Sequence, residues 1–288
     1  MCKRIKLVPF LLLPLVISCR SSIEEEGDRA FESGKYKEAI QQYDQEIKWR
    51  RNNPWLYFKR GRAKFLNKQY SESIYDFDKA IKMMPDSSLL YLWRGNALYK
   101  IWSLRKAMDD YSHAIILNSH DHAVYNGRGN ANYGLGNYHD AISDYSKSIE
   151  LDSNDVIVWS NRGDAKVEIA DYDGAISDFT KALEIRPSDA DFYVKRGKAK
   201  FEKADFNGAM QDYTNAIILN PVVTTYVLRG NAELKMRQTG AAVEDYNIAI
   251  ALDSTSSEAY SGRASAELVS NGYDSINAWV EAKITNDY

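Results

Sequence analysis

Glycine recurs at Gly27, Gly61, Gly95, Gly129, Gly163 and Gly197 with a spacing of 34 residues, and Gly230 follows after 33. A ladder of that period restricts the chain to architectures in which one supersecondary unit is repeated along the sequence. Other positions keep step with it. Twelve residues after each glycine stands a small residue (Ala39, Ser73, Ala107, Ala141, Ala175, Ala209, Ala242), and sixteen after it an aromatic (Tyr43, Phe77, Tyr111, Tyr145, Phe179, Tyr213, Tyr246). Nineteen after it the residue is again small in six of seven cases, with Glu46 the exception.

Each unit contains two stretches of helical periodicity, one around the glycine and one around the aromatic. A turn such as Gly134 to Tyr138 joins them, and Gly136 suits its left-handed cap. The unit is therefore a helical hairpin. Two helices approach closely only where side chains are small, so the glycine and the two small positions mark contact points and the aromatic fills the space between hairpins. One hairpin cannot bury its apolar face alone, and stacked neighbours can.

On these residues, and on segments such as YNGRGNANYGLGNYHDAISDYSKSI at 125–149, residues 20–288 resemble the tetratricopeptide repeat family. The resemblance implies an all-α, right-handed superhelical solenoid of about eight helix-turn-helix hairpins, with first helices lining a concave wall. Repeats are expected at 20–53, 54–87, 88–121, 122–155, 156–189, 190–222, 223–256 and 257–288, the last degenerate, with Ala264 in place of the glycine.

A second ladder carries charge. Arg60, Arg94, Arg128, Arg162, Arg196 and Arg229 precede the glycine, and Asp76, Asp110, Asp144, Asp178, Asp212 and Asp245 follow it by fifteen residues. These positions lie roughly level in an antiparallel hairpin, so an arginine–aspartate pair is expected within each of repeats two to seven. The alternative is a basic stripe for an acidic ligand. For a partly exposed pair, Arg128→Ala is expected to cost about 1 kcal/mol.

The family resemblance places ligand contacts on first helices near the glycine, where the following residue often hydrogen-bonds a bound peptide. The matching residues are Arg62, Asn96, Asn130, Asp164, Lys198 and Asn231. Asparagine offers a donor and an acceptor, which suits an extended peptide, although a solvated polar face reads the same way. The nearest approach to a family carboxylate clamp is Asn126, Asn130, Asn161, Asp191 and Lys195; Asn126 and Asp191 stand where lysines belong, which argues against capture of a C-terminal carboxylate there. Nearer the N-terminus Trp55, Phe58, Phe65, Leu92 and Tyr99 form an apolar set, in which Tyr99 is a candidate groove residue.

The first eighteen residues differ from the rest. Lys3, Arg4 and Lys6 precede an apolar run from Leu7 to Ser18, which is too short for the roughly 20 residues of a spanning helix and has the layout of an export signal. Val16, Ile17, Ser18 and Cys19 resemble the bacterial lipobox. That resemblance implies cleavage before Cys19, palmitate-type acyl chains on Cys19, a tether at 19–22, and, because Arg20 follows, sorting to the outer membrane. An ordinary secretory signal or an uncleaved apolar start are the alternatives. Removing Lys3, Arg4 and Lys6 leaves 34 basic against 40 acidic residues, a net charge near −6 that disfavours nucleic acid as a partner.

Catalytic signals are weak. Among the four histidines only His120 and His122 cluster, around Asp121, and no further histidine or cysteine lies within ligand spacing, so neither metal nor cofactor is expected. The expected partner is an envelope protein bound by a membrane-tethered scaffold, with self-association through an apolar last hairpin (Trp279, Val280, Ile284) also open. An envelope enzyme, a glycan-binding wall and a cytosolic co-chaperone-like module are the competing functions.

Overall fold

A computed structural model describes residues 23–272. These form fifteen α-helices: α1 (23–32), α2 (Tyr36–Trp49), α3 (Pro54–Leu66), α4 (Tyr70–Met83), α5 (Ser88–Lys100), α6 (Leu104–Leu117), α7 (His122–Gly134), α8 (Tyr138–Leu151), α9 (Val156–Glu168), α10 (Tyr172–Ile185), α11 (Ala190–Glu202), α12 (Phe206–Leu219), α13 (Val223–Lys235), α14 (Thr239–Leu252) and α15 (Ser257–Ser270). The architecture is an all-α repeat solenoid without strands among the described residues. The chain divides into two compact units after Leu151. In the first, four hairpins (α1/α2 to α7/α8) stack so that each second helix packs on the next first helix, and α3, α5 and α7 lie side by side. In the second, the hairpins α9/α10, α11/α12 and α13/α14 stack in the same way and α15 packs on the last of them. Cys19, the tether, and the apolar stretch at Trp279, Val280 and Ile284 fall outside the described residues.

Local chemistry sets where helices start and stop. Asn53, Asp121, Asp155 and Asp189 cap α3, α7, α9 and α11, each side chain accepting from the backbone N–H two residues on at 3.0 to 3.1 Å. Asp121, flanked by the two histidines, thus has a capping role. The turn inside each hairpin needs one left-handed residue. Gly136 supplies it at φ 78°, yet Lys68, Trp102, Ala170, Ala204 and Arg237 hold the same conformation in other repeats, at φ 59° to 65°. Those turns carry strain that a glycine would relieve.

The glycine ladder works by close approach. A Cβ added at Gly129 would stand 2.7 Å from Cε1 of Tyr145, and one at Gly61 would meet Phe77 at the same distance. The seven aromatics of that register are at most 1% exposed, so each ring seats its hairpin's second helix on the bare backbone of the first.

Candidate functional site: the first-helix faces

The arginine ladder occupies the junction between hairpins. Arg94 donates from Nε and Nη2 to the two oxygens of Asp110 at 2.8 and 2.6 Å, and Arg162, Arg196 and Arg229 repeat this fork on Asp178, Asp212 and Asp245 at 2.6 to 2.9 Å. Arg60 grips Asp76 in the same way, and Arg128 holds Asp144 at 2.6 and 3.0 Å. The six carboxylates are 0 to 5% exposed. The expected cost of about 1 kcal/mol for Arg128→Ala rested on a partly exposed pair; stranding a buried carboxylate costs about 3 kcal/mol or more.

Two further contacts of these arginines escaped the sequence reading. The third nitrogen reaches back to the preceding hairpin, where Nη1 of Arg60 and Arg94 meets Asp44 and Asp78 at 2.6 Å, and that of Arg128, Arg196 and Arg229 meets Ser112, Thr180 and Thr214 at 3.1 to 3.3 Å. Each guanidinium also lies over an aromatic three residues earlier, as Arg162 does over Trp159 at 4.9 Å. The signal for the backward contact was present: the position seventeen after the glycine is Asp44, Asp78, Ser112, Ser146, Thr180, Thr214 and Asn247, an oxygen-bearing side chain every time.

The asparagines after the glycine have a partner inside their own hairpin. The hydroxyls of Tyr111, Tyr145 and Tyr246 donate to Oδ1 of Asn96, Asn130 and Asn231 at 2.8 Å, and Tyr43 donates to Asp28 at 2.7 Å. Where the aromatic is Phe77 or Phe179, the residue after the glycine is Arg62 or Asp164. In four of the five tyrosine-bearing repeats the residue after the glycine is thus an acceptor, as a buried phenol requires; Lys198, in the repeat of Tyr213, is the exception.

The remaining sequence-derived groove residues fall into different settings. Arg62 sits among the rings of Phe31 and Trp93, each 4.9 Å from its guanidinium carbon, and Phe58 at 5.5 Å, and its buried Nε has no hydrogen-bond partner among the described residues. It borders a cavity of about 340 Å³ with Asp28, Glu32 and Lys59. Lys59 is held by Glu24 and Asp28 at 2.8 and 2.7 Å. Lys195 is held at 2.8 Å by Asp164 and at 2.9 Å by Ser160, which engages it within its own unit. Tyr99, Asn126 and Asn161 are half-buried, and Tyr99 lies 6.4 Å from the exposed ring of Trp102. Phe58 and Leu92 of the apolar set are core residues at 5 and 8% exposure, whereas Trp55 is 43% exposed.

Lys198 and Asn231 are brought together. With Tyr213 they border a cavity of about 370 Å³ in the second unit, whose apolar walls are Val167, Phe201 and Leu228. Burial pushes the Tyr213 phenol well above its ordinary value.

Stacked hairpins, each keyed by a ring on a glycine and stapled by an arginine, define an α-hairpin repeat protein. Models of the family described as "TPR repeat" and "Tetratricopeptide repeat" match residues 27–68, 122–155 and 156–189, and the chain is a tetratricopeptide repeat protein. Its fold is similar to that of the C-terminal part of a TPR repeat-containing protein from Cytophaga hutchinsonii (22% identity, TM-score 0.69, covering 82% of this chain and 97% of that one). It is also similar to a tetratricopeptide repeat protein from Parabacteroides merdae (18%, 0.62, covering 86 and 98%) and to YrrB, described as a TPR protein with an unusual peptide-binding site (18%, 0.54, covering 62 and 92%). No curated protein matches the chain. The repeats make it a scaffold for protein–protein interaction.

Proposed function

We propose that this chain is a membrane-tethered adaptor whose first-helix faces capture a peptide segment of an envelope protein. The observation that carries the reading is the cavity of about 370 Å³ in the second unit, where Lys198 and Asn231 meet apolar walls. Such a mixture of a few polar groups with apolar surface suits a side chain and the backbone beside it. The peptide-binding site described for YrrB supports the same use of the fold. The tether rests on Val16, Ile17, Ser18 and Cys19, and the outer-membrane destination on Arg20. No helix among the described residues is long and apolar enough to cross a membrane, and an acylated Cys19 supplies the attachment without one.

Site-directed crosslinking in native envelopes, from photoreactive residues at Phe201 and Trp55, tests the adaptor role. One defined envelope protein crosslinked from Phe201, and lost when Lys198 is changed to Ala, supports it; crosslinks only to lipid, or a pattern indifferent to Lys198, overturn it. Replacing the groove asparagines is a poorer test, since Asn96→Ala removes the acceptor of the buried Tyr111 hydroxyl and costs about 1 to 3 kcal/mol of stability whatever the ligand. Cys19→Ser is expected to release the chain from the membrane fraction and abolish palmitate labelling; unchanged fractionation refutes the anchor.

A further inference from the structure

Repeat six breaks the pairing rule that the other tyrosine-bearing repeats obey. Tyr43, Tyr111, Tyr145 and Tyr246 each hand a hydroxyl proton to the Asp or Asn after the glycine. In repeat six that position is Lys198, which donates and cannot accept. Tyr213 is 0% exposed and its hydroxyl has no partner among the described residues. A buried donor left in this state is costly, and the chain could have avoided the cost with phenylalanine, as at Phe77 and Phe179.

Tyr213, with this buried and unpartnered hydroxyl, is one of the residues bordering the cavity that holds Lys198 and Asn231. Lys198 is exposed and makes no ion pair or hydrogen bond among the described residues. Asn231 uses its Oδ1 for Tyr246, which leaves its Nδ2 protons as its contribution to the cavity. Three residues with a donor therefore meet around one space, one of them a full cation, and none of the three donors has an acceptor among the described residues. A neutral carbonyl offers two lone pairs and no charge, whereas a carboxylate offers two oxygens with about four acceptor sites and complements the lysine. Val167, Phe201 and Leu228 provide apolar walls for a side chain next to that carboxylate. Glu202 is the one anion that borders the cavity, and it is exposed.

We propose that the cavity formed by Tyr213, Lys198 and Asn231 is a receptor for a carboxylate carried next to an apolar side chain, from a peptide C-terminus or an acidic residue. The inference rests on the peptide-binding reading above and names the chemistry it selects. It also separates this cavity from the Asn126, Asn130, Asn161, Asp191 and Lys195 set, whose departures argued against carboxylate capture.

The test is NMR titration of the purified chain, ¹³C-labelled at tyrosine Cζ, with three peptides: acetyl-Gly-Leu-Phe with a free C-terminus, the same peptide amidated, and amidated acetyl-Glu-Leu-Phe. The free acid is expected to shift Tyr213 and to bind at least about tenfold more tightly than its amide. Binding of the amidated glutamate peptide identifies a side-chain carboxylate as an accepted source, and its absence restricts the site to C-termini. Tyr213→Phe keeps the ring, as at Phe77, and is expected to weaken the free acid about tenfold while leaving the amide unchanged. Lys198→Asn restores the acceptor found in three sibling repeats and is expected to abolish the preference for the acid. Equal affinity for acid and amide, no binding by any of the three peptides, or indifference to Tyr213→Phe overturns the proposal. Equal binding of acid and amide leaves the peptide-binding reading standing without the carboxylate; crosslinks from Phe201 only to lipid are what remove that reading.

Discussion

Glu233 occupies a position where three other repeats carry a lysine. Lys64, Lys166 and Lys200 each stand 2.8 Å from the aspartate of their repeat, Asp76, Asp178 and Asp212, and so add a second cation to the arginine fork. In repeat seven the same position places a carboxylate next to Asp245. Glu233 is 7% exposed and its Oε2 has no hydrogen-bond partner among the described residues. Burial, and then the charge of Asp245, push its carboxyl up from 4.5 to about 7, against the pull of Arg229 and with Glu244 adding to the rise. The unfolded chain loses this proton near 4.5 and the folded chain near 7, so between those values the folded state binds more protons and stability falls as pH rises. At about 1.36 kcal/mol per pKa unit, the full effect is about 3 kcal/mol, complete above about pH 8 and absent below about pH 4. Glu233→Gln is therefore expected to raise stability by about 2 to 3 kcal/mol at about pH 8 and to leave it nearly unchanged at about pH 4.5. Glu233→Lys should do at least as well at the higher pH by restoring the second cation to Asp245. Equilibrium urea unfolding followed by circular dichroism, with variant and parent compared at each pH, isolates this group from the other carboxylates. A stability difference of the same size at both ends of the range would refute the assignment.

Three further outcomes are expected. Arg128→Ala should lose about 3 kcal/mol or more, because Asp144 then keeps only the amide of Asn132 at 3.0 Å; a loss under about 1 kcal/mol in urea unfolding would show the pair to be solvated. Gly129→Ala should be destabilising by about 1 to 2 kcal/mol despite alanine's better helix propensity, since the Tyr145 ring 2.7 Å from the new Cβ is pinned by Asn130, whereas Gly240→Ala, which meets nothing within 4 Å, should be neutral or stabilising; equal melting shifts would contradict the close-approach account. Gly136→Ala should cost about 1 kcal/mol and Ala170→Gly should gain up to about 1 kcal/mol, because both sit at positive φ at the equivalent turn position of their own hairpins; thermal melts that move in the same direction would count against strain at that position.

Much of the molecule is legible in residue order. Period 34 with a glycine, a small residue and an aromatic at fixed offsets defines the hairpin, because both of its helices and the ring that joins them lie within one stretch of chain. The arginine–aspartate fork is legible for the same reason: its partners are sixteen residues apart across one tight turn. The backward reach of Arg94 to Asp78 is also sixteen residues long, but it crosses from one hairpin to the next, so its recognition needed the packing of α5 on α4.

The candidate site divides along the same line. Side-chain type and offset identified Lys198, Asn231, Arg62 and their neighbours as polar groups at one position of the repeat, which the family resemblance implies lies on the first-helix wall. Which of them remain available for a ligand depends on atoms that converge only when helices pack. Asn96, Asn130 and Asn231 all give their Oδ1 to buried tyrosines, Lys195 is engaged by Asp164, and Arg62 is enclosed by rings from α1, α3 and α5. Tyr213 shows the same dependence in reverse. Its identity was visible from the start, but its missing acceptor became apparent only when four tyrosines in the same register were seen to have one. Sequence by itself determined the repeat, the hairpin and the charge ladder, because those follow from local periodicity and short loops. Tertiary structure alone decided which polar groups are satisfied, because hydrogen-bond satisfaction is set by distances of about 3 Å between atoms that different helices bring together.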